Sequence, residues 1–261
     1  MIQFLDVLRT EMPDYTFVFD ERPGAGGIVA ANSFVNERGD GTRLLLFGAN
    51  GTLVYQDLLQ ANIVKYTRAD LKTISAVYEN KELLVTRSGS RIKNMDDFRS
   101  QVLSKKTQIN IGVRTTTDKM MCLNLRDIAG KHVECVDYPN SYRLLQEIIG
   151  GQIEYGLLNY GDVVDQPRTQ AIGSLRKYGS DLKSLSESFP ALKPVYAGLA
   201  AMALPRSASK ETEDWWELSL MKVLSSTTYK AFAERNHLHM EPRILGSKNF
   251  ERLIIEARKN R

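Results

Sequence analysis

The stretch Glu21-Arg22-Pro23-Gly24-Ala25-Gly26-Gly27 stands between a predicted strand, Tyr15–Asp20, and a predicted helix, Ile28–Asn36. Its glycines leave the backbone without Cβ atoms, so a ligand can approach the chain closely. The N–H groups at a helix N-terminus attract anions, because they are unpaired and the helix dipole favours negative charge there. The stretch therefore predicts an anion site, although a plain turn of the chain can have the same composition.

Short apolar runs alternate with helical patterns along most of the chain. This alternation predicts an α/β fold with mainly parallel sheets flanked by helices. Further strands are predicted at Thr42–Gly48, Thr73–Tyr78, Glu82–Thr86, Gln108–Val113, His132–Asp137, Ile153–Asn159, Ala171–Lys177, Val195–Leu204 and His239–Leu245. Further helices are predicted at Met1–Met12, Asn94–Leu103, Thr117–Ile128, Ser141–Ile149, Tyr160–Arg168, Glu211–Leu224, Thr227–Glu234 and Ser247–Lys259.

The composition excludes several classes of function. The 261 residues carry a formal net charge of +4, and 43% of them are hydrophobic, which is typical of a soluble globular protein. The basic residues are spread along the chain rather than clustered with aromatic residues, which argues against nucleic acid as a partner. No apolar run approaches the roughly 20 residues that cross a bilayer.

Three further turns between a predicted strand and a predicted helix carry small polar residues, and one of them is Tyr138-Pro139-Asn140-Ser141. Ala49-Asn50-Gly51-Thr52 follows the strand that ends at Gly48, and Arg114-Thr115-Thr116-Thr117 follows the strand that ends at Val113. In open α/β sheets, ligands bind beyond the carboxyl ends of strands, which is where these turns lie. Each turn could equally be an ordinary helix cap, because Ser, Thr, Asn and Asp are the preferred capping residues.

Together these segments resemble the periplasmic substrate-binding proteins of tripartite tricarboxylate transporters, the Bug receptors. The resemblance is carried by Glu21–Gly27, by Leu46-Phe47-Gly48-Ala49-Asn50-Gly51-Thr52, by Ile148-Ile149-Gly150-Gly151-Gln152-Ile153-Glu154 and by Asn159. These motifs keep the order and spacing of the family along the whole chain.

The resemblance implies a two-lobed fold of the type II periplasmic binding protein class, with a small carboxylate held in a cleft between the lobes. Lobe one is expected to comprise residues 1–86 and 200–261, and lobe two residues 87–199. The resemblance also implies no catalysis, no cofactor, a periplasmic location and transfer of the mono-, di- or tricarboxylate to membrane transporter subunits. The ligand-binding residues that it implies are Gly24, Ala25, Gly26, Gly27, Ala49, Asn50, Gly51, Thr52, Arg114, Thr115, Thr116, Thr117 and Asn159.

The chain departs from the family pattern in three places. Family members begin with a signal peptide, a strand and a glycine-rich loop ahead of the first helix, whereas here Met1 falls where that helix starts, so we expect the natural protein to be longer. Leu158 stands where an acidic residue often precedes Asn159. Arg114 occupies a turn of small residues, where it could pair with a second ligand carboxylate or point to solvent.

Other functions compete with this interpretation. His237, His239 and Glu241 alternate along a predicted strand and could ligate zinc in a metal-dependent enzyme, although a solvated polar face explains the pattern as well. A ligand-loaded receptor could also present itself to a sensor kinase. Cys122 and Cys135 could pair if their helix and strand pack face to face, but two buried free thiols are the favoured interpretation.

Overall fold

The computed structural model describes residues 2–22, 24–59, 61–178, 182–193, 198–239 and 245–259. The helices are α1 (Ile2–Glu11), α2 (Ile28–Phe34), α3 (Gln56–Leu59), α4 (Met95–Ser104), α5 (Thr116–Ala129), α6 (Ser141–Gly150), α7 (Tyr160–Val163), α8 (Leu185–Ser188), α9 (Lys210–Ser225), α10 (Thr227–Arg235) and α11 (Ser247–Lys259). The strands are β1 (Leu45–Gly48), β2 (Leu71–Asn80), β3 (Glu82–Arg87), β4 (Ile109–Val113), β5 (Val133–Asp137), β6 (Tyr155–Asn159), β7 (Thr169–Ser174), β8 (Leu199–Pro205) and β9 (Leu238–His239).

The chain forms two compact units, each with its own sheet. The first unit comprises Met1–Glu79 and Leu199–Lys259, and its strands lie in the order β1-β8-β2-β9. The second unit covers residues 80–198, with the strand order β5-β4-β6-β3-β7. The boundary differs from the one predicted after Thr86, because β3 pairs with β6 and β7 and therefore belongs to the second unit.

Strand directions are mixed rather than mainly parallel. β4 runs parallel to β5 and to β6, as the strand–helix alternation predicts. In contrast, β8 is antiparallel to β1 and β2, and β3 is antiparallel to β6 and β7. β3 and β8 are the first strands after the chain passes from one unit to the other. They enter their sheets without the helical crossover that makes neighbouring strands parallel.

Each unit has its own apolar core. In the first unit the amphipathic helix α1 buries Phe4 and Leu8 against Val77 and Leu220, in agreement with its predicted pattern. In the second unit Leu83 of β3 belongs to a separate cluster with residues of α6 and β6. Within the described residues, no helix has both the length and the apolar character needed to cross a membrane.

The segment predicted as a strand at Tyr15–Asp20 does not form one. It has no regular secondary structure, and in the described part of the chain no strand pairs with it. Residues of this type favour a strand only when a partner accepts their N–H and C=O groups. The predicted strands at Val195–Leu204 and His239–Leu245 lie partly outside the described residues; their described parts begin β8 at Leu199 and form β9.

The cysteines are bonded to each other, so the favoured interpretation of two free thiols is wrong. Cys122 of α5 and Cys135 of β5 form a disulfide, with their Cα atoms 6.0 Å apart. Helix α5 packs directly on β5, which brings the two side chains together. Spacing in the sequence could not establish this contact, because it depends on which side of α5 faces the sheet.

Candidate functional site

The glycine-rich turn of the first unit has the backbone shape that only glycine adopts easily. Residues Ala25–Gly27 form one turn of 3₁₀ helix that leads into α2, and Gly27 caps α2 with φ +97°. Gly24 has φ +133°, and a Cβ atom there would lie 2.8 Å from Cγ2 of Val29. Both glycines are therefore required by the turn itself.

The second turn continues from β1 into a wide helical turn. Ala49 and Asn50 follow β1 directly, and Gly51–Tyr55 form a π-helix. Such turns are rare and are often found at functional sites. The two turns of this unit meet, because a Cβ atom on Gly27 would lie 3.6 Å from Oγ1 of Thr52.

Two side chains from distant parts of the same unit hold the π-helix in place. The hydroxyl of Tyr66 donates a hydrogen bond of 2.9 Å to the carbonyl oxygen of Thr52. Burial raises the pKa of Tyr66, so the hydroxyl keeps its proton. Arg258 donates from Nη1 to the carbonyl oxygen of Leu53 at 2.7 Å and from Nη2 to Oδ2 of Asp57 at 2.9 Å.

Polar atoms in this turn are buried without partners. Asn50, Thr52 and Gln56 are 2%, 0% and 2% exposed. Within the described structure, both amide atoms of Asn50, Oγ1 of Thr52 and Oε1 of Gln56 make no hydrogen bond. Buried polar groups are nearly always paired, so these atoms indicate a place where water or a ligand supplies the partner. Gln56 was not predicted from the sequence, although its position four residues after Thr52 puts it on the same helix face.

In the second unit, the predicted N–H donors at the start of α5 are already occupied. The backbone N–H groups of Arg114 and Thr115 donate to Oδ2 of Asp118 at 3.0 and 3.2 Å. The hydroxyl of Thr115 accepts in turn from the N–H of Asp118 at 3.0 Å, which completes a capping box. Thr116 and Thr117 are buried in the first turn of α5.

Arg114 is the centre of a buried charge cluster. Its side chain is 6% exposed, so the alternative in which it points to solvent is wrong. Its Nη1 donates to Oγ of Ser141 at 2.7 Å and lies 3.4 Å from Oδ2 of Asp162. Oδ2 of Asp118 lies 3.3 Å from Nε, and Oε1 of Glu82 lies 3.9 Å from Nη2. The guanidinium therefore lies within ion-pair distance of carboxylates from β3, α5 and α7.

Asn159 lies at the end of β6, beside this cluster. Its N–H donates to Oδ2 of Asp162 at 3.2 Å, and it stands opposite Glu82 in the pairing of β3 with β6. Leu158, which stands where the family often has an acid, is fully buried in the core of the unit. Glu82, Asp118 and Asp162 were not predicted from the sequence. For the two aspartates, the signal is their position three residues after a capping Thr or Asn.

The proposed zinc ligands are not brought together in the part of the chain that the structure describes. Glu241 and the side chain of His239 lie outside the described residues. Among the residues that are described, no group of three His, Cys, Asp or Glu side chains could hold a metal ion.

The chain has a two-unit α/β fold that is also found in solved structures of periplasmic binding proteins, and it matches them along nearly its whole length. The alignment with the periplasmic binding protein BugD covers 97% of this chain and 87% of the BugD chain, with a TM-score of 0.79 and 15% identity. The alignment with R. palustris Rpa4515 with adipate covers 99% of this chain and 89% of the Rpa4515 chain, with a TM-score of 0.78 and 16% identity.

Two further comparisons, one with a solved structure and one with a related sequence, agree with this likeness. The alignment with MatC (Rpa3494) from Rhodopseudomonas palustris, which has bound malate, covers 90% of this chain and 83% of the MatC chain. The TM-score is 0.70 and the identity is 17%. A UPF0065 protein of Bordetella bronchiseptica is 23% identical over 182 residues, which are 67% of this chain. The matched region spans about half of that relative, 54% of its length. No family model matches the chain. The resemblance to the Bug receptors and the predicted fold class are confirmed by these comparisons.

Proposed function

We propose that this protein is an extracytoplasmic receptor that binds a small carboxylate for uptake by a membrane transporter, without chemical turnover. The observation that carries the proposal is the set of buried, unpartnered polar atoms on Asn50 and Thr52 beside the Gly27 turn. The amide and hydroxyl hydrogens of these side chains are the donors that a carboxylate accepts. The adjoining N-terminus of α2 adds a favourable dipole.

In this proposal residues of the two turns of the first unit contact the anion directly. They are Gly24, Ala25, Gly26, Gly27, Ala49, Asn50, Gly51 and Thr52. The second unit contributes Arg114, Thr115, Thr116, Thr117 and Asn159. Carboxylate as the ligand class is supported by two solved structures of the same fold, one described with malate and one with adipate. Both of those ligands are dicarboxylates.

The proposed location is the periplasm, and the proposed partners are the membrane subunits of the transporter. BugD, which shares the fold, is described as a periplasmic binding protein. The disulfide between Cys122 and Cys135 supports the location, because disulfides form and persist in oxidising compartments such as the periplasm. Presentation of the loaded receptor to a sensor kinase is the alternative role, and it requires the same ligand site.

Thermal unfolding in the presence of a panel of mono-, di- and tricarboxylates tests the proposal. A ligand that binds only the folded protein stabilises it by about 2.7 kcal/mol at 100 times its Kd, so a true ligand raises the Tm in a concentration-dependent way. Amines and sugars of similar size serve as negative controls, and titration calorimetry gives the affinity and stoichiometry. A panel in which no carboxylate raises the Tm contradicts the proposal.

A further inference from the structure

The π-helix Gly51–Tyr55 has backbone carbonyl groups that are bound by other elements and a polar side chain that is not. The carbonyl oxygen of Thr52 accepts from the hydroxyl of Tyr66 at 2.9 Å, and the carbonyl oxygen of Leu53 accepts from Nη1 of Arg258 at 2.7 Å. Oγ1 of the same Thr52 is buried and makes no hydrogen bond within the described residues. The contacts therefore fix the path of the backbone and leave the side chain for another partner.

Arg258 reaches this turn from the last helix of the first unit. Helix α11 packs on the π-helix, and it buries Phe250, Ile254 and Ala257. Nη2 of Arg258 also donates to Oδ2 of Asp57 at 2.9 Å, in the first turn of α3. The guanidinium thus joins a carbonyl group inside the π-helix to a carboxylate in the α-helix that follows it. The rigid fork of N–H groups on an arginine suits two acceptors at a fixed spacing.

The π-helical form of this turn depends on contacts from outside the turn. A π-helix is rare in proteins, and here it passes directly into the α-helix α3 at Gln56. Hydrogen bonds from a charged donor are stronger than those between neutral groups. The side chains of Arg258 and Asp57 are 29% and 38% exposed, so solvent screens their contact only in part. Loss of the guanidinium therefore shifts the turn toward other conformations.

We propose that Arg258 is a positioning residue of the carboxylate site, which holds the π-helix in the form in which Asn50 and Thr52 bind the anion. The inference rests on the proposed function, because it concerns the same turn. Arg258 acts through the backbone of the turn, and Tyr66 is a second anchor of the same kind. When an anchor is removed, the apparent affinity falls in proportion to the fraction of molecules that keep the binding form.

Amide hydrogen exchange on the full 261-residue chain without ligand tests the positioning itself. In Arg258→Met the amides of residues 51–57 are expected to exchange about tenfold faster than in the wild-type chain, because one charge-assisted hydrogen bond is lost. Arg68→Met is the matched control, since Arg68 pairs with Glu251 of the same helix α11 at 2.5 Å. That ion pair joins α11 to residues 68–70 rather than to the π-helix, so the control should leave this exchange unchanged.

Titration calorimetry with malate, adipate and the other carboxylates of the thermal-unfolding panel tests the consequence for binding. Arg258→Met is expected to bind about tenfold more weakly than the wild-type chain, and Arg68→Met equally well. Arg258→Lys keeps a donor for the carbonyl oxygen of Leu53 and should bind more tightly than Arg258→Met. Tyr66→Phe removes the other anchor without a change of charge and should also weaken binding, which separates positioning from plain attraction between Arg258 and an anion.

Several outcomes overturn the proposal. Unchanged exchange of residues 51–57 in Arg258→Met would mean that Arg258 does not hold the turn. A loss of affinity in Arg258→Met that Tyr66→Phe does not share would make the role of Arg258 purely electrostatic. If the wild-type chain binds and Arg258→Met binds equally well, this inference alone is wrong. If the wild-type chain binds no acid of the panel, the proposed function fails and this inference fails with it.

Discussion

Oγ1 of Thr52 lies 3.6 Å from the point that a Cβ atom on Gly27 would occupy, so the two glycine-containing turns of the first unit form one continuous surface. The sequence places these residues 25 positions apart, and each turn alone could be an ordinary helix start. Their contact joins the N-terminus of α2 to the buried polar side chains that follow β1. Because of this contact, the two turns, each of which is weak evidence by itself, form one candidate anion site.

Replacement of Gly27 by alanine is expected to weaken carboxylate binding about tenfold. Its φ of +97° disfavours alanine by roughly 1–2 kcal/mol, and the new methyl group would cover the hydroxyl of Thr52. Gly89→Ala is the matched control, because Gly89 has φ +83° and nothing within 4 Å of the added Cβ. Calorimetry should show lost affinity in Gly27→Ala alone, while both variants lose similar stability. Unchanged affinity in both would remove the Gly27 turn from the site.

Asn50→Leu is expected to raise the stability of the unliganded protein and to abolish its stabilisation by a carboxylate. Both amide atoms of Asn50 are buried without partners, which costs roughly 1–3 kcal/mol that an apolar side chain of similar volume avoids. Asn32→Leu is the control, because the Asn32 amide bonds the carbonyl oxygen of Ile63 and the N–H of Lys65. That variant should lose stability and keep its ligand response. Thermal unfolding with and without ligand distinguishes these results; a normal ligand response in Asn50→Leu argues against the site.

Arg114→Met is expected to destabilise the second unit by about 3–5 kcal/mol at neutral pH, because it removes the guanidinium that lies 3.3 Å from the fully buried carboxylate of Asp118. Asp162→Asn is the control: Asp162 is 29% exposed, and its loss should cost less than about 1 kcal/mol. Urea denaturation of the two variants measures the difference. Equal and small effects would mean that the cluster does not hold this unit together.

The stability of the first unit is expected to fall between pH 10 and about pH 12. Burial raises the pKa of Tyr78 to about 12, whereas in the unfolded chain it is about 10. As the pH rises, the unfolded chain therefore loses this proton first. Below pH 10 the protonated Tyr78 contributes its full share of the free energy of unfolding, up to roughly 2–3 kcal/mol, and this share is lost as the pH rises through the pKa of the folded state.

Tyr78→Phe should flatten this part of the pH profile, measured by urea denaturation at a series of alkaline pH values. Tyr142→Phe is the control, because Tyr142 is 72% exposed. Burial raises the pKa of Tyr229 as well, and the nearby Tyr78 raises it further, so Tyr78→Phe also removes a part of that second shift and flattens the profile in the same direction. The same slope in Tyr78→Phe and in the wild-type protein would contradict the assignment.

Much of the architecture follows from local sequence. The order of strands and helices, the amphipathic α1, the glycine turn ahead of α2 and the Thr115 cap of α5 all depend on residues within a few positions of each other. Periodicity, glycine and capping residues act over that range, so they can be read directly from the chain. The family resemblance extended these local signals to the fold class, which the structural comparisons confirm.

Contacts between residues far apart in the chain decided the rest. Arg114 meets Asp162 and Glu82 because β3, β4 and β6 come together in one sheet, and Cys122 meets Cys135 because α5 packs on β5. The Tyr15–Asp20 segment has the residue types that favour a strand, yet no strand pairs with it among the described residues. Hydrogen bonding across a sheet, burial of charge and packing of a helix face are properties of the assembled chain, and no local pattern specifies which distant residue completes them.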